Sequence, residues 1–132
     1  MAKESGIGMT LSVDDSGGTP RAITNDVDSV NFGTPQNLQD VTGLDKGAME
    51  RIALLSDATV SFTVPAFNDA TNASFDVLKT RTGVRTVAIA ISGQTLSMEM
   101  IISDVSWARN SDGSLGATCQ LSLSDGTVPA WS

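Results

Sequence analysis

The carboxylates are the residues of this sequence whose types and spacing come nearest to a reactive site. Asp14 and Asp15 are adjacent, and Asp26 and Asp28 are separated by one residue. Two carboxylates can hydrolyse a glycosidic bond or bind a hard cation. Adjacent residues of a strand point to opposite faces, which weakens the first pair. The second pair shares a face of an extended chain, but no third acidic ligand follows at the spacing of a calcium loop. We therefore interpret both pairs as turn or solvated carboxylates.

Other catalytic and metal-binding residue sets are missing from the sequence. It contains no His, which excludes Ser-His-Asp and Cys-His catalysis and His-ligated zinc. Its single cysteine, Cys119, cannot form an intrachain disulfide or a structural zinc site. Cys119 alternates with Ala117 and Leu121, which predicts a buried, inert thiol. The glycine-containing stretches ESGIGMT and DDSGGTP lack the Gly-Lys-Ser/Thr ending of a phosphate loop. We expect no enzyme, no metal and no cofactor.

The composition favours assembly with other protein chains over binding to nucleic acid or membrane. A length of 132 residues suits one domain, residues 1–132. The net charge of −7, with scattered basic residues, argues against phosphate recognition, and aromatics at 5% offer little for base stacking. No apolar run approaches the roughly 18 residues of a membrane span, and the first residues lack the apolar core of a signal peptide. Only 17% of residues are charged, against about 25% in an ordinary domain. Such a surface is typical of one that neighbouring subunits cover.

Period-two alternation predicts that most of the chain forms half-buried strands. The clearest runs are ATVSFTV, RTVAIAIS, TLSMEMII and LGATCQLSL. Glycine-containing turns separate the last three, which predicts a C-terminal meander. One helix is predicted over about 72–81, with Asn72 as its cap and Phe75 and Leu78 on one edge. The predicted fold is mainly β: a sandwich or small barrel of antiparallel strands with one short flanking α-helix.

The stretch DVTGLDKGAMER, residues 40–51, does not follow the strand pattern. Leu44, Ala48 and Ile52 have helical spacing, but Gly43 and Gly47 each cost up to about 1 kcal/mol in a helix interior. A ligand cradle would need a phosphate-loop lysine pattern or an aromatic floor. A loop that reaches outside its own domain is the third reading.

Trp131 lies one residue from the end of the sequence, where a chain terminus would normally fray. Burial of so large a ring favours docking, either on its own domain or on a neighbouring subunit.

Four segments carry a family resemblance: DVDSVNF, DVTGLDKGAMERIALLSDATVSFTV, FNDATNASFDVL and DGTVPAW. Because of these segments and their order along the chain, the sequence resembles the major tail tube proteins of long, non-contractile-tailed bacteriophages, the siphovirus type. The resemblance implies a β-sandwich subunit that closes into hexameric rings, which stack into a tube around a tape-measure protein. DNA later passes through this tube without specific binding.

The same resemblance implies partners and contact residues. The partners would be other copies of the chain, the tape-measure protein, and the tail terminator and distal tail proteins, with no membrane. The protein would belong to the virion and be assembled in the host bacterial cytoplasm. A candidate inter-ring loop would span 43–57, the chain termini could form further arms, and the candidate inter-subunit contacts are Asp45, Lys46, Glu50, Arg51 and Trp131. Alternative functions are a head–tail connector, a capsid decoration protein or a stand-alone binding domain.

Overall fold

The computed structural model describes residue 3 and residues 5–132. Residues 1, 2 and 4, at the start of the possible N-terminal arm, lie outside this range. The described chain is mainly antiparallel β with one short α-helix, which confirms the predicted fold class. The strands are β1 (Thr10–Asp14), β2 (Pro20–Ala22), β3 (Ser29–Gly33), β4 (Gln36–Asp40), β5 (Arg51–Ser56), β6 (Thr59–Val64), β7 (Val84–Ile91), β8 (Gln94–Arg109) and β9 (Leu115–Leu123).

Seven strands form one sheet in the order β2-β1-β7-β8-β9-β6-β3. The long strand β8 belongs to both halves of this sheet, because its first part pairs with β7 and its second part with β9. A bulge between Ile102 and Asp104 separates the two parts. Bulges bend a strand and shift its alternation. Accordingly Ile102 faces the core on one side of the bulge, whereas Val105 and Trp107 pack toward it on the other.

One hydrophobic core lies between the two halves of the sheet. Most of its buried residues come from β1, β7 and β8 on one side and from β6 and β9 on the other, so the sheet folds over onto itself. Val77 and Leu78, outside the sheet, add to this core. The edge strands β2 and β3 do not pair with each other within the described residues, which makes the structure a sandwich and not a closed barrel. The central buried side chains are those of Leu11, Val13, Val60, Phe62, Val87, Ile89, Leu96, Met98, Met100 and Leu121.

The helix α1 (Ser74–Leu78) is shorter than predicted at both ends. The predicted cap by Asn72 is wrong, because Asn72 adopts a left-handed conformation (φ 63°) and Ala73 stands at the cap position without a side-chain bond. The acceptor comes from a distant segment instead: Asp26 Oδ2 accepts a hydrogen bond from the Ser74 amide at 3.1 Å. Burial raises the pKa of Asp26, but hydrogen bonds from Asn68 and Ser74 outweigh it and leave the pKa lowered.

A buried arginine fixes the chain that follows this helix. Arg85 is fully buried, and its Nη1 donates to the carbonyl oxygens of Asp14 at 3.0 Å and Val77 at 2.9 Å. Its Nη2 donates to the carbonyl oxygens of Thr80 and Thr82. One guanidinium group therefore joins β1, α1 and the loop between α1 and β7.

Cys119 provides a test of the integrity of the core. It is fully buried, and burial raises the pKa of its thiol to about 12, with a nearby Arg85 lowering it and Asp104 raising it. Only the thiolate reacts with disulfide reagents. We expect native Cys119 to react at least about 1000-fold more slowly than in denaturant, since labelling requires unfolding. Labelling kinetics with an aromatic disulfide measure this, and rapid labelling of the folded chain would contradict it.

Candidate assembly arm

Two strands stand apart from the main sheet. β4 and β5 pair only with each other in the described chain, with Leu38 opposite Ala53 and Asp40 opposite Arg51. We call residues 36–56 the arm, and residues 41–50 its tip. Every residue of the arm is exposed except Thr42 and Ser56, which are partly buried.

The arm carries apolar side chains that its own chain does not cover. Leu38 and Ile52 lie on opposite faces of the two-stranded ribbon, because their register partners are Ala53 and Gln39. A two-stranded ribbon is at best marginally stable in water, and clustered exposed apolar groups indicate an interaction surface. Seven large apolar residues of the arm have exposures of 43% to 108% of the reference value for their residue type: Leu38, Val41, Leu44, Met49, Ile52, Leu54 and Leu55.

The tip forms a hydrogen-bonded loop and no helix. The Val41 amide donates to the Glu50 carbonyl oxygen at 2.9 Å, which extends the β4–β5 ladder by one step. A Cβ at Gly43 would lie 2.9 Å from Asp45 Oδ1, the end of an exposed side chain that can move aside. The helical reading of residues 40–51 is therefore wrong, and the two glycines that opposed it lie in the loop.

The structure places the predicted charged contact residues at the tip and at the first residue of β5. Lys46 Nζ lies 4.0 Å from both Asp45 Oδ2 and Glu50 Oε1, and all three side chains are exposed. Such exposed pairs contribute little to the stability of a single subunit. Arg51 begins β5, so the predicted loop over 43–57 includes a strand, Arg51–Ser56. Whether these charges contact another subunit remains a prediction.

A groove of about 460 Å³ lies where the arm joins the body of the protein. Leu54 and Leu55 line it on the arm side, and Leu123 and Val128 line it on the body side. The apolar surface of the arm is therefore continuous with apolar surface on the sandwich.

Trp131 docks on its own domain. It forms an isolated bridge with Leu96, and its ring lies 6.0 Å from that of Phe32 on the edge strand β3. The neighbouring Ser132 exchanges two backbone hydrogen bonds with Thr95, at 2.8 and 2.9 Å. Since 47% of Trp131 stays exposed, its predicted role as an inter-subunit contact remains a prediction.

Sequence reasoning missed several residues of the arm. Leu38, Leu54 and the hydroxyl of Thr42 were not singled out, although the unbroken apolar run IALL before Ser56 is a usable signal. A strand with apolar residues in consecutive positions is typical of one covered on both faces. No such cover comes from the described chain, so the run indicates contacts supplied from outside.

In the described residues, no three or more His, Cys, Asp or Glu side chains are grouped so that they could hold a metal ion. Of the helices that the structure describes, none has the length and apolarity needed to cross a membrane.

The chain matches no protein-family model and no curated protein sequence. Its fold is similar to solved structures along nearly its whole length. A chain in the tail of an empty GTA particle, refined helically with C6 symmetry, has a TM-score of 0.74 at 18% identity, with 98% of each chain covered. A chain in the virion of a native gene transfer agent has a TM-score of 0.75 at 12% identity, covering 98% of this chain and 99% of that one.

A third similar structure is the baseplate of the anti-feeding prophage, symmetrised six-fold. A chain in it has a TM-score of 0.64 at 10% identity, with 100% of this chain and 97% of that chain covered. At these sequence identities the similarity establishes a shared fold. A chain in each of the three particles therefore has the fold of this protein.

Proposed function

We propose that this protein is the tail tube subunit of a long, non-contractile phage-type tail, and that it assembles into stacked hexameric rings enclosing a DNA conduit. The observation that carries the proposal is the arm, which exposes seven large apolar side chains, four on the strands of the β4–β5 ribbon and three at its tip. An element of this kind gains stability only when another surface covers it. Further copies of the same chain are the partner that we assign to it.

The shared fold supports the ring arrangement. The chain is similar over 98% of its length to one in a helically refined tail with C6 symmetry. Joining subunits around a ring would also cover the sheet edges formed by β2 and β3. Exposed strand edges favour aggregation, and closed assemblies remove them.

The charge supports a conduit that does not hold its cargo. Each subunit carries a net charge of −7, and a ring multiplies that charge. On this proposal, part of the negative charge faces the lumen. DNA phosphates would be repelled by such a surface. On this proposal the tape-measure protein fills the tube before ejection, and the terminator and distal tail proteins close its ends. Assembly takes place in the host bacterial cytoplasm, and the finished protein belongs to the virion.

In the stacked rings the arm of one subunit lies against a subunit of the adjacent ring. Asp45, Lys46, Glu50 and Arg51 then form charge pairs across this contact, each weak alone and repeated around the ring. Trp131, which is 47% exposed, contributes to a second contact.

Electron microscopy of the purified full chain tests the proposal. We expect rings with six-fold symmetry and tubes of uniform width to form as the concentration rises, with analytical ultracentrifugation following the loss of monomer. A chain that stays monomeric at millimolar concentration would contradict the proposal. A trimer that adds to capsids would instead indicate a decoration protein.

The fold shared with a chain in a six-fold baseplate favours a second candidate function, a ring at the end of a tail. Rings that form but never stack, at any concentration or ionic strength, would identify this function in the same images.

A further inference from the structure

One threonine side chain links the two sides of the tip. The Thr42 hydroxyl donates to Asp40 Oδ1 at 2.6 Å and accepts a hydrogen bond from the Glu50 amide at 2.8 Å. Thr42 is partly buried, while the other residues of the tip are exposed. These two bonds join the outgoing and returning sides of the tip just beyond the Val41–Glu50 backbone bond.

In place of a further backbone hydrogen bond of the β4–β5 ladder, the Glu50 amide therefore donates to the Thr42 hydroxyl. Beyond it lie residues 43–49, which carry Leu44 with its side chain fully exposed. The Thr42 amide also donates to Asp40 Oδ1 at 3.0 Å, so that one carboxylate oxygen accepts two bonds. The Thr42 side chain, and then its amide, hold the pKa of Asp40 below its usual value, against a smaller effect of burial.

We infer that Thr42 is a positioning residue for assembly: its hydroxyl, anchored on Asp40, fixes the tip so that Leu44 is presented in one conformation to a second copy of the chain. The inference rests on the proposed function, because it assumes that the arm binds another subunit. An ordered loop loses less conformational entropy on binding than a mobile one, so its association is tighter. Thr42 itself need not touch the partner.

The test variant is Thr42→Val. Valine keeps the shape of the side chain and removes the two hydrogen bonds of the hydroxyl, to Asp40 and from the Glu50 amide. Thr42→Ser keeps the hydroxyl and serves as the rescuing variant, and Thr71→Val alters an exposed threonine in another loop. The first measurement is hydrogen exchange of the Glu50 amide in dilute, monomeric chain. We expect about fivefold faster exchange in Thr42→Val, since a typical hydrogen bond of this kind changes a local equilibrium by that factor. The serine and Thr71 variants should exchange like wild type.

The second measurement is the critical concentration for tube formation, followed by light scattering. We expect Thr42→Val to raise it severalfold and Thr42→Ser to restore it, while the thermal midpoint and Cys119 protection stay unchanged in all variants. Wild-type assembly by Thr42→Val, or unchanged Glu50 exchange in that variant, would overturn the inference and leave the proposed function standing. A wild-type chain that forms no assemblies would overturn both.

Discussion

Replacement of residues 37–55 by Asn-Gly yields a folded chain that no longer assembles. Gln36 and Ser56 are register partners, so a two-residue hairpin turn can join them directly. The core draws none of its buried residues from the arm. Removal of the arm should therefore leave the thermal midpoint and the protection of Cys119 close to wild type, while rings and tubes disappear from electron micrographs.

Point variants at Leu44 refine this experiment. Its side chain is fully exposed, so substitutions there leave the folded monomer unchanged. Burial of one leucine contributes about 2 kcal/mol, so Leu44→Asp should weaken each arm contact by roughly 30-fold. Leu44→Met is the matched control, because it keeps an apolar side chain of similar volume. Tubes formed by the arm-replacement chain, or equal critical concentrations for the two Leu44 variants, would contradict the assignment of the arm.

Replacement of Arg85 by methionine has the largest expected effect on stability. It removes the donors for the carbonyl oxygens of Asp14, Val77, Thr80 and Thr82. We expect the free energy of unfolding to fall by about 3–5 kcal/mol, the scale found when one partner of a buried charged network is removed. That loss is a large part of the roughly 5–15 kcal/mol that stabilises an ordinary domain.

Chemical denaturation followed by tryptophan fluorescence measures the effect of Arg85→Met. Arg81→Met is the matched control, since Arg81 is exposed in the same loop, and its change should stay within about 0.5 kcal/mol. Arg85→Lys should recover only part of the loss, because an ammonium group has fewer donors than the guanidinium and lacks its fork geometry. Equal stabilities for the Arg85 and Arg81 methionine variants would show that the buried network is dispensable.

The sandwich could be predicted because its strands alternate. Each of β6, β7 and β9 has buried residues at every second position, and the predicted C-terminal meander appears as β7, β8 and β9 in direct antiparallel sequence. Period-two patterning directly reflects which face of a strand is buried, and that information is local.

The bounds of α1 and the burial of Arg85 could not be predicted, because both depend on contacts between residues that are distant in the sequence. Asp26 replaces the Asn72 cap, and it lies 48 positions from Ser74 in the sequence. The burial of Arg85 depends on four carbonyl groups from three segments that only the folded chain brings together. The bulge in β8 had a local signal, the change of phase between Ile102 and Val105, which shows that a strand can keep its length while its face changes.

For the arm, the sequence indicated an unusual segment, and the structure supplied its form. The glycines and charges of residues 40–51 argued against a helix, but the pairing of Leu38 with Ala53 follows only from the ribbon register. The family resemblance suggested a reaching loop; the exposed apolar residues of both strands make the whole ribbon, and not the loop alone, the candidate contact surface.

The strand registers also indicate the order in which parts of the chain fold after synthesis. The arm pairs residue 38 with residue 53, whereas the body pairs residue 11 with residue 89 and residue 62 with residue 119. Local hairpins form in about 1–10 μs, and pairings between distant segments are slower because long loops must close first. The ribbon can therefore form transiently on chains whose sandwich is still incomplete, with its apolar side chains exposed to other chains. This order of folding exposes nascent chains to off-pathway aggregation. The rate of aggregation should rise with expression level and fall when the ribbon is removed.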